Sequence, residues 1–265
     1  MGAGMVERLR GDAGRRPVVD PALAGGLRAW LEDGAAGVAP DDGTAVWIDG
    51  RVLGPATTGE DRVGPPAPGP LVRGAMVGAL FRQLVVTGRI GDPVAEAMAA
   101  LAAEGTSSTV LDSVHRLPAP ERSIMDRVVR GQAETMAGQW SGLPAAWLPR
   151  VGERLRVPLA GGRVVLHGTA DLVLGAPSDG RASICLVQVR SGDRRPVHRG
   201  ERCLLALLET VRSGAAPFRS ATYYPSAGEI DVEEVTEALL AATVEAVLVR
   251  MASGGRVGAV GAAAA

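Results

Sequence analysis

Residues 154–192 decide the fold, and they read RLRVPLAGGRVVLHGTADLVLGAPSDGRASICLVQVRSG. Polar and apolar residues alternate over Arg154–Leu159, which is the pattern of a half-buried β-strand. Turns that contain glycine separate this segment from two apolar runs, Arg163–Leu174 and Ala182–Val189. Because both runs are rich in β-branched residues, the stretch predicts three consecutive strands in an antiparallel meander.

Segments with apolar residues at helical spacing lie on both sides of the predicted meander. Upstream they cover Leu71–Thr87, Pro93–Glu104 and about Ala119–Gln139. Downstream they cover Glu201–Arg212 and a long closing helix at Val232–Met251, with a strand at Phe218–Tyr224 between them. This order of elements predicts an α/β domain in which helices flank a central sheet.

The first 66 residues are predicted to form a small N-terminal α/β appendage. A short helix follows Asp20, a favourable N-cap residue. Thr44–Ile48 and Arg51–Leu53 are predicted to pair as a β-hairpin around Asp49-Gly50. The proline-rich stretch that follows predicts a linker.

Three parts of the chain are therefore expected. The helix, hairpin and linker occupy residues 1–66, and the main domain occupies residues 67–255. Residues 256–265 are rich in glycine and alanine and are predicted to form a disordered tail.

The composition limits the classes of function. All 28 basic residues are arginine, against 29 acidic residues, and the formal net charge of −1 argues against a protein coated with nucleic acid. The two cysteines are too few for a four-thiolate iron–sulfur or zinc site. Residues 1–16 contain no apolar core of signal-peptide length, and no stretch of the sequence approaches the 18 uncharged apolar residues of a membrane span. We therefore expect a cytoplasmic protein with no iron–sulfur cluster and no membrane partner.

Asp171 is the first residue that indicates chemistry. It interrupts the apolar run of the second predicted strand, where an unpaired carboxylate costs several kcal/mol unless it is ion-paired or binds a metal. The third strand carries Gln188 and Arg190 two residues apart, and hence on one face. Pairing of Asp171 with an arginine such as Arg190 and binding of a metal are the two alternatives.

These segments resemble the RecB-like branch of the PD-(D/E)XK nuclease superfamily. In that family a Gly-x-x-Asp strand precedes a hairpin into Asp-x-Lys-Thr-Gly, and the corresponding segments here are 168–171 and 188–192. A following helix carries Gln-x-x-x-Tyr, which corresponds to residues 201–205. An upstream helix carries a glycine and, four residues later, a metal-binding histidine, which corresponds to residues 74–78. The likeness covers about Leu71 to Gly255 in the right order.

The resemblance implies a PD-(D/E)XK, or restriction-endonuclease-like, core with a mixed central sheet flanked by helices. It also implies a phosphodiesterase site, in which two carboxylates and a histidine hold Mg²⁺ or Mn²⁺ ions that activate water and neutralise the phosphate. The lysine of the motif stabilises the charge that develops in the transition state.

This sequence departs from the family pattern at nearly every site position. Asp171 is retained, but Gln188 replaces the second carboxylate, Arg190 replaces the lysine and Gly78 replaces the histidine. In a chain without lysine, Arg190 is weak evidence of lost catalysis. The prediction of a vestigial site at Asp171, Gln188 and Arg190 therefore depends on Gly78 and Gln188. No cofactor is expected at such a site.

A basic segment follows the third strand. Residues 190–202 contain five arginines against two acidic residues. Apart from Arg190, which belongs to the vestigial site, the arginines that are candidates for binding phosphate are Arg194, Arg195, Arg199 and Arg202. We predict that this segment contacts nucleic acid through phosphates, and a solvated loop is the alternative.

Three functions follow from these observations. The preferred one is a catalytically inactive or impaired nuclease-fold protein that acts as a nucleic-acid-binding or scaffolding subunit of a DNA-processing assembly, with a protein partner. The second is an active Mg²⁺- or Mn²⁺-dependent DNA exonuclease or endonuclease that uses Asp171, Glu153 or Glu201, and the main-chain carbonyl of Val189. The third is a protein-interaction module in which Leu71–Gln139 docks a partner and no nucleic acid binds.

Overall fold

Six strands form one mixed central sheet in the computed structural model. The structure describes residues 4–10, 20–39, 44–53, 68–103, 108–140, 143–176 and 181–253. Within these ranges no helix combines the length and the hydropathy needed to cross a bilayer. The predicted tail at 256–265 and most of the predicted proline-rich linker lie outside the described residues, and the division of the chain into parts stays a prediction.

The helices and strands follow one another along the chain in groups. The strands are β1 (Val46–Ile48), β2 (Arg150–Leu159), β3 (Val164–Leu174), β4 (Cys185–Val189), β5 (Arg219–Tyr224) and β6 (Glu229–Glu234). The helices are α1 (Met5–Arg10), α2 (Pro21–Ala36), α3 (Pro68–Thr87), α4 (Pro93–Ala103), α5 (Ser108–Arg116), α6 (Ala119–Trp140), α7 (Pro196–Ser213) and α8 (Glu237–Ala252). The predicted three-strand meander is confirmed as β2, β3 and β4.

The long strand β3 organises the sheet. Along one edge it pairs with β2 in antiparallel register. Along its other edge it pairs with two short strands, with β1 in parallel at 164–166 and with β4 in antiparallel at 172–174. Residues 167–171 therefore have no strand partner on that edge among the described residues. We call this opening between β1 and β4 the notch.

Helices cover both faces of the sheet. One core is enclosed by helices α1, α3, α4, α5 and α6. In it the Trp140 ring meets the rings of Phe81 and Tyr223 edge to face, with centroid distances of 5.0 and 5.3 Å. Helices α2, α7 and α8 enclose a second core. The segment predicted as an N-terminal appendage thus contributes β1 to the central sheet and α2 to the second core.

Strand β3 changes the core that it faces at Asp171. Val164, Leu166 and Ala170 point into the second core, whereas Leu172 and Leu174 point into the first. The strand alternation is shifted by one residue at the point where the notch ends. Opposite this point β2 has Gly152 with φ of +65°, a conformation that glycine adopts at little cost.

The predicted hairpin after β1 is wrong. Gly50–Leu53 form a turn of 3-10 helix, because the Asp49 carboxylate accepts the backbone N–H of Arg51 at 3.0 Å and starts a tight turn. A Cβ on Gly50 would clash with the Cα of Glu201, so this turn is pressed against α7.

The predicted start of the closing helix at Val232 is also wrong. Residues 229–234 form β6, which pairs with β5 after the turn at residues 225–228. Helix α8 begins at Glu237, where the hydroxyl of Thr236 accepts the backbone N–H of Leu239 as an N-cap. Helices α1 and α5 were not expected from the sequence.

Gly152→Ala tests the shift of alternation in the β2–β3 hairpin. The alanine adds left-handed backbone strain, and its Cβ would lie 3.3 Å from Cδ of Arg82. We expect a loss of about 2 kcal/mol in the free energy of unfolding, measured by urea denaturation. Gly161→Ala, at the turn of the same hairpin, has φ of +68° and open space around the Cβ, so it should cost less. An equal loss in both variants would contradict the proposed role of Gly152.

Candidate functional site

The notch opens into a cleft of about 530 Å³. Its walls come from the turn after β1, the first half of α3, the unpaired part of β3, the end of β4 and the start of α7. Asp171, Gln188, Arg190 and Glu201 all line it, so the structure brings the predicted vestigial site together. Glu153 lies on β2 opposite Ala170 and does not line the cleft.

Asp171 is held by a cation that the sequence analysis missed. Its side chain is buried, and the residue is 7% exposed. Its Oδ1 accepts a hydrogen bond from Arg82 Nη1 at 2.7 Å, and its Oδ2 accepts the backbone N–H of Val189 at 2.8 Å. Of the two alternatives for Asp171, the structure shows pairing with an arginine, but this arginine is Arg82 of α3 and not Arg190.

Gly78 makes room for this ion pair. It lies one helical turn before Arg82, on the face of α3 that looks into the cleft. A Cβ at Gly78 would lie 3.2 Å from Arg82 Nη1 and 3.5 Å from Asp171 Oδ1. A histidine at position 78, which the family pattern has, would displace the Arg82 guanidinium. The ion pair of Arg82 with Asp171 therefore depends on the glycine.

Arg190 forms a second, separate ion pair in the cleft. Its Nε and Nη2 donate to Glu201 Oε2 at 3.0 and 2.7 Å. Its Nη1 donates to the main-chain carbonyl of Val189 at 3.0 Å. The active-nuclease hypothesis uses this carbonyl and Glu201 as metal ligands. In the structure the Arg190 guanidinium binds both of them.

Gln188 is the least satisfied polar group of the cleft. The residue is 4% exposed, and its Oε1 has no hydrogen-bond donor among the described residues. Its Nε2 lies 3.5 Å from the carbonyl oxygen of Thr169, which is a long contact. A neutral amide here supplies no negative charge to the cleft.

The donor set does not fit Mg²⁺ or Mn²⁺. These ions need several oxygen ligands with carboxylates among them. Here both oxygens of Asp171 and the carbonyl of Val189 accept hydrogen bonds, and Glu201 binds Arg190. In the part of the chain that the structure describes, no three His, Cys, Asp or Glu side chains are grouped to hold a metal ion.

The predicted phosphate-binding arginines lie outside the cleft, and acidic residues of β6 engage three of them. Arg194 pairs with Asp231 at 2.7 Å. Arg199 and the buried Arg202 share Glu233, at 2.5 and 3.0 Å. Arg195 has an exposed side chain with no ion pair to a described residue. The basic segment is therefore largely neutralised by a strand that the sequence analysis did not expect.

His198 sits at the start of α7 behind this segment. Its Nδ1 accepts the backbone N–H of Arg195 at 3.3 Å and lies 3.2 Å from the Tyr224 hydroxyl. Burial, and then the charges of Arg190, Arg195 and Arg202, lower the pKa of His198 to about 4. The imidazole is therefore neutral at physiological pH, and protonation would break the hydrogen bond at Nδ1.

Sequence comparisons assign no family to this arrangement of residues. No protein-family model matches the chain, and no curated protein matches it either.

Arg82→Met tests the ion pair with Asp171. The variant leaves a buried carboxylate without a counter-charge, and we expect a loss of about 3 kcal/mol in the free energy of unfolding. Adding Asp171→Asn should recover part of that loss, because the charge is then removed. Arg130→Met, which breaks a solvent-exposed pair with Asp92, is the matched control and should cost far less. Equal losses for the two single variants would argue against a special role of Arg82.

The pH dependence of stability tests the state of His198. Its pKa is about 4 in the folded protein and near 6.5 without the fold, so the unfolded chain binds the extra proton in between. Stability should therefore fall as the pH falls from 6.5 to 4, by up to about 3 kcal/mol from this group. His198→Gln should flatten the profile in this window, and the exposed His115→Gln should not. Parallel profiles for wild type and His198→Gln would refute the assignment.

Proposed function

We propose that the chain is a PD-(D/E)XK protein of the RecB-like branch that has lost metal-dependent cleavage and serves as a non-catalytic nucleic-acid-binding subunit. The proposal is supported by the order of the elements, since helices, a three-strand antiparallel meander, a helix and a parallel strand follow one another as the resemblance implies. It is further supported by the convergence of Asp171, Gln188, Arg190 and Glu201 on one cleft.

The observation that carries the proposal is the presence of two guanidinium groups where a catalytic cation would act. Arg82 neutralises Asp171, and Arg190 binds both Glu201 and the carbonyl of Val189. Arginine keeps its proton at any physiological pH, so a change of pH in that range does not remove the positive charge of either pair.

A guanidinium replaces the charge of a metal ion but not its chemistry. A bound divalent ion lowers the pKa of a water molecule and coordinates the phosphate. Arg82 and Arg190 have donors only, so neither can generate a hydroxide. The pairs stabilise the former site and remove the means of activating water.

A subunit without its own chemistry contributes to DNA processing only beside other proteins. We therefore keep a protein partner in the proposal. The active-nuclease alternative would require Asp171 to give up both hydrogen bonds and Arg190 to leave Glu201.

A rebuilt site tests the loss of catalysis. We expect the unmodified chain to bind no Mn²⁺ by calorimetry and to leave labelled single- and double-stranded DNA intact. The triple variant Gly78→His, Arg82→Ala and Gln188→Glu restores the donor types that the family uses, and we expect it to gain Mn²⁺ binding. Circular dichroism and thermal unfolding establish that the variant is folded.

Cleavage by the unmodified chain would overturn the proposal if it needed Mn²⁺ and disappeared in Asp171→Asn. The control for the rebuilt variant is Gly78→His with Gln188→Glu alone. Since the Arg82 cation then stays in the cleft and repels a second cation even where the histidine shifts it, this double variant should bind Mn²⁺ more weakly than the triple variant.

A further inference from the structure

One face of the sheet beside the cleft is open among the described residues. In β1 and β2, the side chains of Ile48, Leu155 and Val157 point into the second core. The residues that directly precede them along each strand therefore point to the opposite face of the sheet. These are Trp47, Arg154 and Arg156, and all three are exposed. His167 of β3 lies between β1 and β2 on this face. It pairs with Arg156 of β2, and it directly follows Leu166, the last residue of β3 that pairs with β1. We call Trp47, His167, Arg154 and Arg156 the open face.

The open face combines an aromatic ring with one cation at contact distance, Arg156, and a second cation two residues away on the same strand, Arg154. The Trp47 and His167 rings meet edge to face with centroids 5.4 Å apart. The guanidinium carbon of Arg156 lies 5.5 Å from the centroid of the Trp47 ring. Trp47 is still 38% exposed in this arrangement. A tryptophan has a large apolar surface, so leaving it exposed beside the Arg156 cation indicates a binding surface more than a packing need.

The arginines of the open face differ from those of the basic segment. Arg154 and Arg156 form no ion pair with any described carboxylate, whereas Arg194, Arg199 and Arg202 are all paired with β6. The two free charges are two residues apart on one strand, so they point in the same direction. Burial lowers the pKa of His167, so its ring is neutral at physiological pH and adds stacking surface without charge.

The open face continues into the cleft. His167 belongs to both, and Thr169, which pairs with Arg154, also lines the cleft. A chain lying along β3 would therefore pass from the Trp47 ring towards Arg190 and Arg82 without leaving the surface.

We propose that the open face binds single-stranded nucleic acid, with a base stacked on Trp47 and phosphates held by Arg154 and Arg156. This inference rests on the proposed function and names its ligand and its surface. An exposed aromatic ring beside unpaired cations is the combination that single-strand binding uses, since every base has a face that can stack. A duplex hides those faces in its own stack. An acidic peptide would use the cations but not the ring.

Binding of a labelled oligo-dT of about 12 nucleotides, followed by fluorescence anisotropy in EDTA, tests the proposal. We expect Trp47→Ala to weaken binding about tenfold. Trp47→Phe should retain most of the affinity, which separates loss of stacking from loss of folding. Trp30→Ala is the matched control, because Trp30 is 39% exposed on α2 and should not matter.

The charges are tested by a second pair of variants. Arg154→Gln with Arg156→Gln should weaken binding and reduce the slope of log K against log salt by about 1.4, as expected for two lost phosphate contacts. Arg194→Gln with Arg199→Gln should leave both quantities nearly unchanged, since those side chains are already paired.

The outcomes separate this inference from the proposed function. If the chain binds oligo-dT and Trp47→Ala behaves like Trp30→Ala, the open face is not the site, and the non-catalytic interpretation stands. The same conclusion follows if the Arg194 and Arg199 variant is the weaker binder, or if duplex or poly-glutamate displaces oligo-dT from wild type and Trp47→Ala equally well. Absence of any binding at low salt overturns both the open face and the nucleic-acid part of the proposed function. Cleavage with Mn²⁺ overturns the proposed function only, since binding is measured without metal.

Discussion

The Asp171 carboxylate joins three elements that are distant in sequence. Through Oδ1 it binds Arg82 of α3, and through Oδ2 it binds the backbone of Val189 at the end of β4, while its own backbone lies in β3. A carboxylate inside an apolar strand is costly unless both its charge and its lone pairs are satisfied. Because the partners come from separate elements, the position of α3 over the sheet and the width of the notch are coupled. These elements meet at the point where the in–out alternation of β3 is shifted by one residue, which is at Asp171 and opposite Gly152 of β2.

Three arginine–carboxylate pairs line the cleft, and they are Arg82–Asp171, Arg190–Glu201 and Arg51–Asp49. Each pair is electrically balanced, so none of these three carboxylates is left for a metal cation. The same balance appears on the far side of α7, where β6 neutralises Arg194, Arg199 and Arg202. The arginines of the open face are the contrast, since their charges remain available to a ligand. The paired charges join elements of the fold, and the arginines of the open face are the ones to which we assign a ligand.

The sequence alone predicts the β2–β3–β4 meander and the meeting of Asp171, Gln188 and Arg190, since both depend on local alternation and on short turns. It does not predict the partner of Asp171, because α3 carries Arg73 and Arg82 and only the packing of the helix selects one. Strand β6 is missed because its acidic side chains resemble the first turn of a helix, and ion pairs with a distant loop offset their repulsion. The open face is missed because Trp47 and Arg156 become neighbours only when β1 pairs with β3 over a long stretch of chain.

The notch leaves a short stretch of strand edge open to pairing with another chain. A strand edge with free N–H and C=O groups is a template for such pairing, and most proteins shield these edges. At the notch the free edge of β3 covers only residues 167–171 and is closed at one end by β1 and at the other by β4. A strand from another molecule could add only a few residues before meeting one of these two. The notch is thus too short to seed growth of the sheet between molecules.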